Sequence, residues 1–182
     1  MDGISSMLLH SFLAILRAAM PEASPFSILS WNRCIHLIFF VHRVEGLEKG
    51  LYILLRDSGQ KEAMLEDFVW ERPSGTPPDI KLYQLDQGDS RLAAKETSYR
   101  QDIASDGCFA VAMLAAFEEP LQKYGAWYYR RLFWECGVIG QAFYQAGEAA
   151  GFQGCGIDCF FDDMVHRMLG LSGCKDQKNE MD

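Results

Sequence analysis

Asp162, Asp163 and His166 form the densest group of metal-ligating residue types in the chain, within the run DDMVH. Spacings of three and four residues put such side chains on neighbouring faces of one helical turn. Acidic residues that open a helix also have a simpler use. They accept hydrogen bonds from its orphan N–H groups and sit well at its positive end. Helix capping is therefore the expectation, and no metal site is expected. His36 and His42 share a strand face by parity but lie ~20 Å apart at strand rise, too far to share one metal. They read as structural. The cysteines are Cys34, Cys108, Cys136, Cys155, Cys159 and Cys174. Cys155 and Cys159 could form a redox pair, but no CxxC spacing is present. Several cysteines sit in apolar runs, which predicts buried free thiols in a reducing cytosol rather than a disulfide framework. Between Gly151 and Phe160 the sequence GFQGCGIDCF has Gly151, Gly154 and Gly156 close together. Such a backbone suits close approach to something flat or phosphorylated. The spacing matches neither the dinucleotide fingerprint nor a phosphate-binding loop ending in Lys-Ser/Thr.

The elements that must position these residues begin with the stretch Tyr124 to Leu171. Its first part reads as a long helix that breaks at Gly151, and a short helix restarts at Asp162. Tyr128, Leu132, Ile139, Phe143 and Ala146 recur on one helical stripe. The opposite side is not polar, because Leu132, Phe133 and Trp134 run together. Gly137, Gly140 and Gly147 lie inside the helix, where each costs roughly 1 kcal/mol against Ala. The favoured expectation is a central helix buried on most sides, whose glycines admit a close neighbour. The other reading is a helix that crosses its own copy in a dimer.

Upstream, residues Ser6 to Met20 predict an amphipathic helix capped by Ser5 or Ser6 and stopped by Pro21. Leu8, Leu9, Phe12, Leu13, Ile15 and Leu16 make its buried face, with His10 packed nearby. Cys34 to Val44 and Leu51 to Arg56 read as a β-hairpin, the first strand buried on one face and mixed on the other. Gln60 to Trp70 predicts a short helix, Glu71 to Pro78 a proline-rich loop, Ile80 to Leu85 an edge strand, and Arg91 to Glu96 a helix. The wholly apolar run Gly107 to Phe117 suits a central strand buried on both faces, with helix left open by its alanines.

A chain of 182 residues is expected to form one domain with a real core. Its net charge of -8 and pI near 5.0 lack the positive field that nucleic acid demands. No uncharged apolar run is long enough for a bilayer, so no membrane partner is expected. The N-terminus has an apolar heart without a basic lead or a cleavage site, so a secretory signal is not expected either. Cytoplasmic residence follows as the expectation.

The order of residues from Lys123 onward resembles the nitroreductase superfamily, in particular its SagB-type (azoline dehydrogenase-like) branch. The matching positions are Lys123, Tyr124, Gly125, Tyr129, Arg130, Glu135, Gly137, Gln141, Tyr144, Glu148, Ala149, Gly151 and Gly154. The turn Gly156, Ile157, Asp158, Cys159 follows, then Phe160 and the tail through Asp162, Asp163, His166, Leu169, Gly170 and Leu171. Arg43, Val44, Gly46, Leu47, Gly50, Leu51 and Tyr52 are also similar to that branch.

The resemblance implies an α+β, nitroreductase-like fold: a mostly antiparallel central sheet flanked by helices, with a long buried central helix. It tips Gly107 to Phe117 to strand. It implies an FMN-dependent oxidoreductase, with NAD(P)H as electron donor, acting as a homodimer on a small-molecule or modified-peptide substrate. It assigns Gly156, Ile157, Asp158 and Cys159 to the flavin and Lys123 and Tyr124 to acid–base work. The Arg-Arg-Ser-type opening and the basic closing segment that hold the flavin phosphate are absent, with Lys175 and Lys178 as substitutes at most. The expected domain is therefore residues 1–171, incomplete at both termini, followed by a polar tail over 172–182. The alternative is a non-catalytic nitroreductase-like domain, a remnant or half of a tandem protein, that has lost FMN and serves packing or a partner.

Overall fold

The protein is described by a computed structural model over residues 2–23, 26, 29–56 and 70–171. Its elements are β1 (Met7–Leu8), α1 (Leu9–Ala18), β2 (Ile35–Val41), β3 (Val44–Glu45), β4 (Gly50–Leu54) and β5 (Leu82–Gln87). They continue with α2 (Arg91–Thr97), α3 (Asp102–Asp106), β6 (Phe109–Ala115), α4 (Glu118–Tyr124), a 3-10 turn (Ala126–Tyr128), α5 (Tyr129–Ala149) and α6 (Asp162–Met168).

Four strands form one antiparallel sheet in the order β5-β4-β2-β6. The expected hairpin is present: β2 pairs with β4 from Leu37↔Leu54 to Val41↔Gly50. The two-residue side-chain period sorts the sheet into two apolar layers. Ile35, Leu37, Phe39 and Val41 of β2 join Tyr52 and Leu54 of β4 in one cluster with α1 and α5. Ile38 and Phe40 join Leu51, Ile53 and Leu55 in the other, beneath α2, α3 and α6. Every residue of β2 is buried, so the strand is covered on both faces rather than on one. Helices on both sides supply the reason.

Several expectations are corrected. The run Gly107 to Phe117 does become strand β6, but it lies at an edge and is only half-buried at most positions. An all-apolar sequence reports covered faces, not the number of neighbouring strands. The first helix starts at Leu9, because Met7–Leu8 are drawn into a parallel pair with Val44–Glu45. Ser5 and Ser6 do not cap it; their hydroxyls donate to Asp2 and Glu45 instead. His10 is exposed rather than packed. Ile80 to Leu85 becomes the edge strand β5 two residues later, and Arg91 to Glu96 is helical as expected. The helix predicted over Gln60 to Trp70 lies outside the described residues, apart from Trp70, which is not helical. The tail over 172–182, with Lys175, Lys178 and Cys174, lies outside them as well.

His36 and His42 are structural, as their spacing indicated. Both are almost wholly buried. The His36 Nδ1 accepts the Arg56 N–H at 3.3 Å. The His42 Nε2–H donates to the Ala104 carbonyl at 3.0 Å, which fixes the tautomer.

Candidate functional site

The long helix sets the geometry. Gly125, with φ +87, and the 3-10 turn separate it from α4, so α5 begins at Tyr129 rather than Tyr124. It ends where expected. Gly151 adopts φ +80, and the N–H groups of Ala150 and Phe152 both fold back onto the Gly147 carbonyl. The helix is buried along one stripe only, formed by Leu132, Glu135, Ile139, Ala142 and Gly147. This corrects the expectation of burial on most sides. Phe133 is 61 % exposed, Trp134 55 % and Tyr144 42 %, so the apolar side opposite the predicted stripe is not covered. A side chain at Gly137 or Gly140 would meet open space. The second apolar face therefore points outward.

One buried charge holds that helix to the sheet. Glu135 forms an ion pair with Arg56, with both side chains wholly sequestered from solvent. Glu135 also accepts the Cys34 N–H at 3.0 Å, and Arg56 donates to the Ala19 and Ile35 carbonyls at 2.6 and 3.2 Å. Burial pulls the Arg56 guanidinium down from its ordinary value, and the carboxylate of Glu135 opposes that shift. The sequence marked Glu135 by resemblance but gave no sign of this partner.

The glycine-rich stretch follows α5 without regular structure. Phe152 packs on the α5 side of the sheet and Ile157 on the α6 side, so the intervening glycines carry the chain from one layer to the other. Tyr144, on the exposed face of α5, anchors the crossing. Its hydroxyl accepts the Gly156 N–H at 2.6 Å. A Cβ at Gly156 would sit 3.1 Å from that hydroxyl, and one at Gly154 would sit 3.4 Å from the ring. The contact is tight at Gly156 and close to ordinary van der Waals packing at Gly154. The N–H groups of Ile157, Asp158 and Cys159 have no partner among the described residues. They are open backbone donors in a stretch without regular structure. The Gly156 donor, grouped with them by resemblance, is already engaged.

Cys159 is no activated nucleophile. The negative charge of Asp158 beside it pushes its thiol up from the ordinary value. Cys155 and Cys159 are both exposed, against the expectation of burial, whereas Cys34 is buried and Cys108 and Cys136 partly so. Burial pushes the Cys136 thiol up to about 11.

Asp162 and Asp163 do occupy the first turn of α6. The capping position itself belongs to Phe161, and the Asp162 carboxylate receives only the Asp163 N–H at 2.9 Å. Their role is to place negative charge at the helix start. Among the described residues no group of three or more His, Cys, Asp or Glu side chains could hold a metal ion.

Lys123 and Tyr124 stand at the last turn of α4, not at the start of the long helix. The Lys123 ammonium lies 5.2 Å above the Tyr124 ring, and that ring stacks on Tyr128 at 4.8 Å. Burial pushes the Tyr128 hydroxyl up to about 12, which keeps it protonated. The chain does not bring this pair to the glycine-rich turn. The turn hangs from Tyr144, and Tyr129 to Tyr144 spans roughly 22 Å at helical rise.

The profile of the nitroreductase family matches residues 12–178 of the chain. A crystal structure of a candidate nitroreductase from Anabaena variabilis superposes with a TM-score of 0.67 at 20% identity, over 91% of this chain. At that identity the likeness carries the fold alone. The chain spans about a third of that protein, 31% of its length. No curated protein matches this chain significantly. Among the described residues no helix is long and apolar enough to cross a membrane.

Proposed function

Because the chain belongs to the nitroreductase family, we propose that residues 1–171 act as a flavin-dependent oxidoreductase domain in a homodimer built on α5. The observation that carries this reading is the outer face of that helix. It exposes Phe133, Trp134 and Tyr144, and its Gly137 and Gly140 have nothing above them. An exposed apolar stripe of this kind marks an interaction surface. The glycines flank residue 139, the midpoint of Tyr129–Ala149. An antiparallel crossing there is symmetric and puts the N-terminal end of one α5 beside the C-terminal end of the other. The Lys123–Tyr124 pair of one protomer then approaches the glycine-rich turn of its partner, which one chain alone cannot achieve. The open edge of β6, apolar along its whole length, adds a second surface that association would cover.

FMN fits the turn in part. The open N–H groups of Ile157, Asp158 and Cys159 would hold the polar edge of its ring system, and Tyr144 fixes their backbone. When bound, FMN supplies the hydride chemistry, with NAD(P)H as the matching donor. Lys123 and Tyr124 are the groups placed to hand over or receive a proton from a small-molecule or modified-peptide substrate. Closure of the interface over them would exclude water and strengthen their electrostatic interaction with the substrate. The SagB-type branch is the closer description of this arrangement, because it is the branch in which a Lys-Tyr pair has this use.

Absorbance and size-exclusion measurements on the purified protein test the reading. A yellow dimer is expected. Gly140→Gln should leave the monomer folded and at least as stable, because Gly is the poorer helix former, yet it should abolish the dimer and release flavin. A colourless dimer that takes up no added riboflavin phosphate supports the non-catalytic alternative. A Gly140→Gln protein that remains dimeric and yellow refutes the crossing.

A further inference from the structure

The outer face of α5 carries a pattern of its own. Arg130, Trp134, Gly137, Gln141, Tyr144 and Glu148 are all exposed, and they follow one another at alternating steps of four and three residues. That is a heptad seam, which faces a partner helix along its whole length when two helices cross at a shallow angle of about 20°. The seam is also complementary to itself. Arg130 and Glu148, Trp134 and Tyr144, and Gly137 and Gln141 stand at equal steps either side of Ile139. A second copy laid antiparallel about that residue meets it pair by pair. Opposite charges meet at the two ends and aromatic rings inside them. At the centre the Gln141 side chain faces the open space above Gly137.

The two end charges work against the helix within a single chain. Arg130 is the second residue of α5 and Glu148 the last but one. A cation at the N-terminal end and an anion at the C-terminal end each oppose the helix dipole. The first turn holds no acidic residue and the last turn no basic one to offset them. Neither charge has an ion-pair partner among the described residues. An antiparallel copy offsets both penalties at once. It sets the negative end of one helix, with its Glu148, beside the positive end of the other, with its Arg130.

We propose that α5 pairs with α5 of a second copy in this register, with Arg130 of each protomer bonded to the partner's Glu148 and Trp134 of each packed on the partner's Tyr144. The inference rests on the reading that α5 carries the dimer, and it adds the register and the residues that select the partner. The ion pairs lie at the rim, where they set register and partner more than they add affinity. The aromatic pairs between them supply the apolar contact. Tyr144 is also the acceptor of the Gly156 N–H. Each Trp134 therefore leans on the residue that anchors its partner's glycine-rich turn.

Charge reversal in the full chain, followed by analytical ultracentrifugation, tests this. Arg130→Glu sets like charges against each other at both ends of the seam, because symmetry repeats each pair, and Glu148→Arg does the same with the opposite sign. Each variant should weaken its own dimer about tenfold at low salt, as two attractive rim pairs become repulsive. High salt should erase the difference from the parent. Both substitutions suit the helix dipole, so neither should lower the urea midpoint of the monomer. Mixed in equal amounts, the two variants should form a heterodimer about as tight as the parent dimer, read by native mass spectrometry, because every end is then an opposite-charge pair. A monomeric parent overturns the α5 dimer and this register with it. A parent dimer that Gly140→Gln dissociates but both reversals leave unchanged overturns the register alone. So does a mixture that shows no preference for the heterodimer.

Discussion

Replacing Glu135 with Gln is the sharpest perturbation of the helix that carries the proposed interface. The change keeps the shape of the side chain and leaves an oxygen to accept the Cys34 N–H. It removes the carboxylate that pairs with Arg56 among the described residues, and the Arg56 side chain is wholly buried. Breaking a buried pair from one side strands a charge and costs about 3–5 kcal/mol. That is a large share of the roughly 5–15 kcal/mol that keeps a domain folded. For a chain of this size, each 1 kcal/mol shifts the melting midpoint by roughly 2–4 °C, so a fall of about 6–20 °C is expected. Urea unfolding followed by tryptophan fluorescence gives the same quantity at constant temperature. A cycle with Arg56→Met and the double variant isolates the pair. The double variant still loses the Arg56 bonds to Ala19 and Ile35, so it is not expected to match the parent. It should nonetheless be less destabilised than the sum of the two single changes, because no charge is left alone. A Glu135→Gln protein within 1 kcal/mol of the parent, or strictly additive single changes, would refute the account of how α5 is fastened.

Tyr144→Phe removes the acceptor of the Gly156 N–H and keeps the ring beside Gly154; a loss of about 0.5–1.5 kcal/mol is expected, with faster amide exchange confined to the glycine-rich turn. Gly50→Ala places a Cβ 2.2 Å from the Asp86 carbonyl oxygen across the β4–β5 pair, and should destabilise by about 1–3 kcal/mol in urea titrations. His42 is buried neutral, its value lowered from 6.5 chiefly by desolvation and also by Arg43 and Arg91, while the Ala104 carbonyl and Asp89 oppose the shift. The unfolded chain then binds the proton first, so stability is full above pH 6.5 and falls as pH drops below it, by at most about 1.4 kcal/mol per pH unit from this group. His42→Gln should flatten that part of the profile, and a parent profile that is flat through the window contradicts the assignment.

Much of the fold was legible because it depends on near neighbours. Cys34 to Val44 and Leu51 to Arg56 carry β-branched and apolar residues around a glycine-bounded turn, and their pairing as β2 and β4 needs little else. Gly151 stops α5 because only a residue tolerant of positive φ closes the helix there. The run of positions from Lys123 to Leu171 carried the family, and the profile match over residues 12–178 agrees with it. The proposed site was legible only in pieces. Tyr144 was one matching position among many, and its grip on Gly156 spans twelve residues and a change of sheet face. Arg56 and Glu135 lie 79 positions apart, and neither residue type announces the other.

What the sequence determined by itself is therefore the larger elements, their periods and the family to which their order belongs, while the short pieces β1, β3, α3 and α4 escaped it. What only the tertiary structure decided is which apolar faces meet. Phe133, Trp134, Gly137 and Gly140 read the same on a core helix as on an interface helix, because hydrophobic period records where water is disfavoured and not what displaces it. Folding covers one stripe of α5 with β2 and α1 and leaves the other facing outward. For the same reason an all-apolar β6 could sit at the sheet edge. Burial is a property of two surfaces, and a sequence read locally describes only one of them.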